Sequence, residues 1–470
     1  NNFLNLVDIR RICCIGAGYV GGPTMAVIAK NCPNIVVEVV DINEDRIKAW
    51  NNKDLDNLPV FEPGLKDIVK KVRNKNLFFS NNVKNAIEKA DMVFISVNTP
   101  VKKEGIGAGQ TSDLRWVESC AREICKSAKG HTIVVEKSTL PVKTAQTIKD
   151  ILYSVDNLNP NNERTFSVLS NPEFLAEGTA IDDLENPDRV LIGGDDINSM
   201  DSLKNIYLNW VVSSKVILTN LWSSELSKLS ANAFLAQRIS SINCISAICE
   251  ATGASIQEVA HAVGTDSRIG RKFLKAGPGF GGSCFKKDIL NLVYLSRYYG
   301  LHEVADFWQN ILSINTWQQT RIYEKVVEKL FGNLVNKKIA ILGFAFKENT
   351  NDTRESPAIN ICRNLLNEGA FLSIHDCKVN EETIDKDLSS ENSFDKCMWA
   401  YHEDVYTAFE GAHAAILMTE WSIYKTLKWK KIVPIVKQPF WIFDTRLIVN
   451  PNQIKDLGIN LWQLGNGKNH

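Results

Sequence analysis

Apolar residues in this chain come in two textures: short dense runs bounded by turn-formers, and long stretches at helical spacing. The short runs Arg11–Ile15, Ile35–Val40, Asp91–Val97, Thr132–Glu136 and Phe166–Leu169 predict strands in the first third. Pro23 to Lys30 predicts a helix between the first two. From Trp222 to Glu250 there is no glycine or proline, and apolar residues recur at helical spacing. That predicts one long helix, broken near Gly253. Helical spacing then continues from Ile256 to about Leu330, interrupted by one glycine-rich loop. At Lys337 the strand pattern restarts with Lys338–Gly343, Phe371–Asp376, Ala414–Met418 and Trp441–Asp444. The expected architecture is α/β: two doubly wound units joined by a long central helix and a helical middle domain. Their expected bounds are 1–220, 221–330 and 331–470.

The first strand runs into Gly16-Ala17-Gly18-Tyr19-Val20-Gly21, a G-x-G-x-x-G turn, and the second strand ends at Asp41. Strand, glycine turn, helix, strand and acid in this order form a Rossmann-like dinucleotide site. The glycines permit the turn and the approach of a pyrophosphate, and the acid takes the ribose hydroxyls. Asp41 should repel a 2′-phosphate, so NAD is expected over NADP, although Arg46 close by weighs the other way. Ligands of open α/β sheets sit beyond the carboxyl ends of the strands. Val97-Asn98-Thr99 and Lys137-Ser138-Thr139 are therefore site candidates, Thr139 being equally readable as a helix cap before Pro141. Asn171–Gly178 predicts a short helical turn, with Glu173 and Glu177 stacked at i and i+4.

The interrupting loop carries the most pointed chemistry: Gly277-Pro278-Gly279-Phe280-Gly281-Gly282-Ser283-Cys284-Phe285-Lys286-Lys287-Asp288. The segment after it has helical spacing, which places Cys284 at or near a helix N-terminus, where a thiolate is favoured. Asp288, four residues on, shares a face with it. Loop, thiol and carboxylate suggest covalent catalysis by cysteine. The bland alternative is a buried structural cysteine, as most free cysteines are. Lys228 and Asn232 lie one turn apart on the long helix, where a lysine is normally solvated. The turn of the second doubly wound unit, Gly343-Phe344-Ala345-Phe346-Lys347, has a single glycine. The bulk of Phe344 and Phe346 should keep a pyrophosphate away. A different phosphate ligand is expected there, held by Lys347, Arg354 and Arg446 with Phe346 against a base or sugar.

Composition narrows the rest. The formal net charge is zero and no basic run appears, so nothing points to nucleic acid. Eleven cysteines without a Cys-x-x-Cys pair fit reduced cytoplasmic thiols better than a disulfide framework or a zinc site. The seven histidines show no ligand spacing, so no metal is expected. Asn1 to Arg11 lacks a signal-peptide core, and no stretch of about eighteen apolar residues suggests a membrane span.

Together the motifs resemble the nucleotide-sugar dehydrogenases, from Ile12 to about Leu464. The most specific pieces are Gly279–Asp288, Asn171–Gly178, Lys228-Leu229-Ser230-Ala231-Asn232-Ala233-Phe234 and Gly343–Lys347. The resemblance implies oxidation of UDP-glucose to UDP-glucuronate with two NAD, without release of the aldehyde. It implies that Cys284 forms a thiohemiacetal and then a thioester, which water hydrolyses. Lys228, helped by Asn232, would steady the oxyanion. Asp288 and Thr139 would hold or activate a water, and Glu173 would serve hydrolysis. The resemblance carries Arg354 to a cofactor contact, Glu177 and Lys287 to contacts with NAD or the substrate, and Phe174, Leu175, Ala176, Lys275, Phe280, Gly281 and Phe285 to substrate contacts, beside Lys347 and Arg446. Arg268 matches a position that reaches a neighbouring subunit's site, so a homo-oligomer with a dimer core is expected, a hexamer being its open extension. Departures are Leu140 for the commoner valine, the Ala276-Gly277-Pro278 segment, and an Asn-rich surface insertion at Asn157–Asn162. The competing readings are a sister enzyme of UDP-N-acetylmannosamine or GDP-mannose, and a catalytically silent binding protein on the same fold.

Overall fold

A computed structural model describes residues 7–138, 141, 143–154, 164–389 and 398–468 of the 470-residue chain. Thr139, Leu140 and the Asn157–Asn162 stretch lie outside the described residues. The chain divides into two compact units, Asn1–Ala231 with Leu290–Leu301, and Asn232–Ile289 with His302–His470.

Among the described residues, the first unit holds eight strands: β1 Arg11–Ile15, β2 Val36–Val40, β3 Leu77–Ser80, β4 Met92–Ile95, β5 His131–Glu136, β6 Thr165–Ser170, β7 Val190–Gly193 and β8 Val216–Thr219. Their order is β3-β2-β1-β4-β5-β6-β7-β8. Every neighbouring pair is parallel except β6 and β7. The dense apolar runs have a simple cause: alternate residues of each strand enter different cores. Ile12, Cys14, Met92, Phe94, Ile133 and Val135 join one cluster, while Cys13, Ile15, Val93, Ile95 and Val134 join the other. A parallel sheet covered on both faces has no polar side to alternate with.

The second unit repeats the plan with β9 Lys338–Leu342, β10 Phe371–His375, β11 Trp399–Tyr401, β12 Ala414–Leu417, β13 Phe440–Asp444 and β14 Ile459–Gln463. The order is β11-β10-β9-β12-β13-β14, all parallel. The first turns of the two sheets are built alike. Gly16 N–H donates to the Val40 carbonyl at 2.8 Å, and Ala17 N–H to Asp41 Oδ2 at 3.0 Å. Gly343 N–H donates to the His375 carbonyl at 2.8 Å, and Phe344 N–H to Asp376 Oδ2 at 2.7 Å. Both glycines have left-handed φ, 110° and 99°.

The long helix runs Leu221–Thr252 and stops at Gly253, whose φ of 79° ends the helical hydrogen bonding. Helices Ile256–Thr265, Phe285–Tyr298 and His302–Lys329 follow, so the helical middle forms as its spacing predicts. Among the described residues, no helix is long and apolar enough to cross a membrane.

Candidate active site

The first unit presents a dinucleotide cradle at the carboxyl end of β1. Its three glycines answer different needs. A Cβ on Gly16 would lie 2.3 Å from the Ser96 carbonyl oxygen, and one on Gly21 would lie 2.1 Å from the Gly16 oxygen. The protein's own backbone therefore demands both. A Cβ on Gly18 would meet nothing within 4 Å, so that glycine keeps open a space only a ligand would fill. The helix Gly21–Asn31 that follows has no side-chain cap and no acid in its first turn, which leaves its N-terminal N–H groups to an anion. Asp41 is buried at the end of β2, where Oδ1 accepts from Asn43 N–H and Oδ2 pairs with Arg46 Nη1 at 3.1 Å. Tyr19 packs against the core beside this turn, and Val20 precedes the helix. At the end of β4, Thr99 is buried, Val97 half-buried and Asn98 exposed. Ser138 Oγ donates to the Val97 carbonyl at 2.9 Å, tying β5's loop to β4's. The residues present fit NAD.

Beyond β5 and β6 sits a buried polar cluster that sequence spacing missed. Lys137 Nζ pairs with Glu173 Oε2 at 2.8 Å and donates to Asn171 Oδ1 and the Tyr207 hydroxyl at 3.1 and 3.2 Å. Burial pulls the Lys137 ammonium down, but Glu173 and Tyr207 together hold it above its ordinary value. Burial pushes the Glu173 carboxyl up, but Lys137 and then Lys228 outweigh it and hold it below its ordinary value. Phe174 lies between two cations, with Arg189 3.6 Å and the Lys228 ammonium 5.1 Å from its ring centre. Lys228 is buried rather than solvated.

The expected helical turn over Asn171–Gly178 does not form. The segment is irregular to Ala176, turns at 177–179, and only then becomes the helix Ala180–Glu185. Polar side chains intercept the donors that a helix would need. Glu173 Oε1 takes Phe174 and Leu175 N–H, Asp183 takes Ala176 N–H, and Glu62 takes Gly178 and Ala180 N–H. Glu173 and Glu177 are thus not stacked on one face; Glu177 sits half-buried in the turn.

In the second unit, Cys284 directly precedes the helix Phe285–Tyr298, and its carbonyl accepts from Asp288 N–H at 2.8 Å. It is the helix's N-cap residue, half-exposed, with Ser283 Oγ 3.4 Å from its sulfur. Asp288 is fully buried, and its Oδ2 accepts from Asn232 Nδ2 at 2.6 Å. Buried amides clamp the loop before the thiol. Asn243 Oδ1 accepts from Gly277 N–H, and Gln318 Nε2 donates to the Gly277 carbonyl. Asn315 binds both backbone groups of Phe280, at 2.8 and 3.0 Å. The Arg354 carbonyl accepts from Gly282 N–H at 2.8 Å. A Cβ on Gly281 would lie 2.5 Å from the Glu355 carbonyl oxygen, and one on Gly282 3.1 Å from the Phe346 ring. The two glycines make room for Phe346.

Phe346 is therefore half-buried against the cysteine loop, and Phe344 is fully buried in the core. Neither ring guards the β9 turn as their bulk suggested. The turn differs from the first unit's because the next long helix starts only at Pro357, after a loop rather than directly. Arg354 forms a forked pair with Asp352. Arg446 donates to the carbonyls of Met418 and Phe346 at 2.8 and 3.2 Å, and Lys275 pairs with Glu420. Burial pushes the Glu420 carboxyl up, but Arg446 and Lys275 hold it below its ordinary value. Lys347 Nζ lies 5.4 Å from the Phe346 ring centre, and the Phe280 and Phe285 rings meet edge to face at 5.7 Å. Arg268 is exposed and paired with Asp266, while Lys287 lies in the first turn of the Phe285–Tyr298 helix.

Of the ten described cysteines, seven are buried; Cys244 and Cys284 are half-buried and Cys377 is exposed. No group of histidines, cysteines and carboxylates able to hold a metal occurs among the described residues.

A phosphate-ready glycine turn and an N-cap cysteine on this architecture define an NAD-dependent oxidoreductase. Three family models match in chain order. They are the NAD binding, central and UDP binding domains of the UDP-glucose/GDP-mannose dehydrogenase family, at residues 10–211, 222–317 and 340–451. UDP-glucose 6-dehydrogenase 4 of Arabidopsis thaliana is 52% identical over 477 residues, covering 97% of each chain. UDP-glucose 6-dehydrogenase of Gallus gallus is 52% identical over 470 residues, covering 98% of this chain and 94% of that one. A UDP-glucose dehydrogenase structure from Pyrobaculum islandicum superposes with a TM-score of 0.82 at 27% identity, covering 98% of both chains. The chain belongs to the UDP-glucose/GDP-mannose dehydrogenase family, and its cofactor is NAD.

Proposed function

We propose that this chain oxidises UDP-glucose to UDP-glucuronate, with Cys284 as its covalent nucleophile. The observation that carries the reading is Cys284 at a helix N-cap, on a loop clamped by buried amides, above an Asp288 fixed by Asn232. NAD, when bound, accepts one hydride in each of two oxidations. The C6 alcohol loses a proton and a hydride to become an aldehyde. The Cys284 thiolate adds to the aldehyde carbon, giving a thiohemiacetal. Loss of a second hydride gives a thioester; water adds, the thiolate leaves, and the acid is complete. Lys228 and Asn232 stabilise the oxyanion of the addition steps. Glu173, kept ionised by Lys137, serves as base or water-positioning group for hydrolysis, together with Asp288 and Thr139. Arg446, Lys275, Lys347 and Phe346 take the sugar nucleotide.

The functional division 1–220, 221–330 and 331–470 is part of this reading. So is a homo-oligomer, supported by the exposed Phe234, Ile248 and Phe307 on the long helices. A cytosolic home rests on the cysteine usage. The test is NADH formation against UDP-glucose, UDP-N-acetylmannosamine and GDP-mannose. Two NADH per UDP-glucose consumed is the expected result. Turnover of another sugar nucleotide with UDP-glucose inert would replace the substrate, and no turnover with any would return the chain to a binding role.

A further inference from the structure

Gly277, which opens the cysteine loop, is gripped on both sides of its backbone. Asn243 Oδ1 accepts from its N–H at 3.0 Å, and Gln318 Nε2 donates to its carbonyl at 2.8 Å. Both amides are fully buried. A side-chain amide can be turned end for end with no change of shape, so something must decide which end of Gln318 meets Gly277. Arg321 lies three residues further along the same helix, His302–Lys329, and its Nε donates to Gln318 Oε1 at 2.7 Å. A guanidinium has donors only. The amide oxygen therefore faces Arg321, and the amide nitrogen is left to the Gly277 carbonyl.

Arg321 is itself held from the long helix. Its Nη1 donates to Glu250 Oε2 at 2.7 Å and its Nη2 to Ser246 Oγ at 2.8 Å. Ser246 gives its own hydroxyl hydrogen to the Asn243 carbonyl at 2.6 Å, so its oxygen meets Arg321 as an acceptor. Glu250 Oε1 accepts from Gly465 N–H at 2.7 Å. An unbroken chain of hydrogen bonds thus joins Gly465 to Gly277 through Glu250, Arg321 and Gln318. The grip matters because of what stands beside it. A Cβ on Gly277 would lie 3.2 Å from Arg446 Nη1. The other two nitrogens of Arg446 are spent on the carbonyls of Met418 and Phe346. Leu274 and Ala276, just before Gly277, are buried in one core cluster with Ile322 and Val326, which share the helix with Gln318.

We propose that Gln318 is a positioning residue for the sugar nucleotide, and that Arg321 acts through it by fixing the direction of its amide. The inference rests on the reading of Arg446 as a sugar-nucleotide contact. With the amide reversed, two acceptors would oppose each other at Gly277 and two donors at Arg321. Water cannot relieve either clash at a fully buried amide, so Gly277 would leave its place beside Arg446 Nη1. A buried ion pair that merely holds two helices together would have no such consequence for a ligand.

Gln318→Glu is nearly isosteric. It keeps an oxygen for Arg321, whose charge holds the new carboxyl ionised, and sets a second oxygen against the Gly277 carbonyl. By calorimetry, the Kd of UDP should rise on the order of 10-fold, while the Kd of NAD stays at the parent's value. KM for UDP-glucose should rise in step. Arg321→Met frees the amide to turn and should also weaken UDP alone. Arg321→Lys keeps a cation with an N–H for Gln318 and should recover part of the loss. A parent-like Kd for UDP in Gln318→Glu overturns the proposal, whatever its melting temperature. Equal weakening of UDP and NAD overturns it too, because that is general loosening. If Arg321→Met fails to fold, Gln318→Glu and Arg321→Lys decide. A parent that binds UDP but turns over no sugar nucleotide defeats the proposed oxidation alone, while the UDP affinities still test Gln318.

Discussion

Replacing Lys137 by Met should be the most informative single change in the first unit. The ammonium is one half of a buried pair, 3% exposed against 12% for Glu173. Removing one partner of such a pair strands the other, at a cost of about 3–5 kcal/mol. Lys228 also acts on Glu173, so the loss belongs at the lower end, about 3 kcal/mol. A folded unit of this size shifts about 2–4 °C per kcal/mol, so the melting temperature should drop by roughly 6–12 °C at pH 7. The pH dependence follows from the two directions. Glu173 is held below its ordinary value, so its stabilisation is present above about pH 4.3 and drains away as pH falls through its lower folded value. Lys137 is held above its ordinary value, so its stabilisation is complete below about pH 10.4 and is lost only as pH rises through the higher folded value. Both are full at neutrality. The deficit of Lys137→Met should therefore be largest near pH 7 and shrink on acidification, because Glu173 takes a proton earlier in the variant, which lacks the ammonium that lowers its value. Thermal melts of the ligand-free proteins from pH 4 to 8 measure it. Parent-like melting at pH 7, or a deficit that does not shrink in acid, would refute the reasoning.

Cys284→Ser should abolish UDP-glucuronate formation while NAD still binds by calorimetry; near-parent turnover would remove the thiol from the chemistry. Lys228→Ala should lower kcat by about 10²–10³-fold with KM little changed, as loss of an oxyanion donor does; unchanged kcat would make Lys228 a packing residue. NADP should support far poorer kcat/KM than NAD, and Asp41→Ala should narrow the gap; equal efficiency in the parent would end the ribose role of Asp41. Asn315→Leu strands the N–H and C=O of Phe280 at about 1–3 kcal/mol each, so its melt should fall well below the parent's, and a parent-like melt would disprove the clamp.

The strands, the long helix and the cysteine's place at a helix start were legible because each is local. Solid apolar runs mark a sheet covered on both faces, and a glycine loop before helical spacing marks an N-cap. The clamps on the cysteine loop were not legible. Asn315 and Gln318 reach Phe280 and Gly277 across 35 and 41 residues, and on a helix they look like ordinary surface amides. Asn171–Gly178 misled for the opposite reason: its spacing is helical, but carboxylates from Glu62 and Asp183 win its backbone donors. One signal was present and unused. Glu136 and Lys137 directly follow the apolar run Ile133–Val135, and charges buried there must find partners inside the fold.

The distribution of thiols makes this protein easy to interrogate by alkylation. Burial pushes the Cys244 thiol up, and local burial of the sulfur followed by the Asp376 charge pushes Cys377 up to about 11. Both therefore keep their protons at neutral pH and alkylate slowly. The seven buried sulfurs are shielded outright. Alkylation at Cys284, half-exposed at its helix start, is therefore set against slow or shielded sulfurs elsewhere among the described residues. NAD or a sugar nucleotide can be scored by how far each protects Cys284 from iodoacetamide.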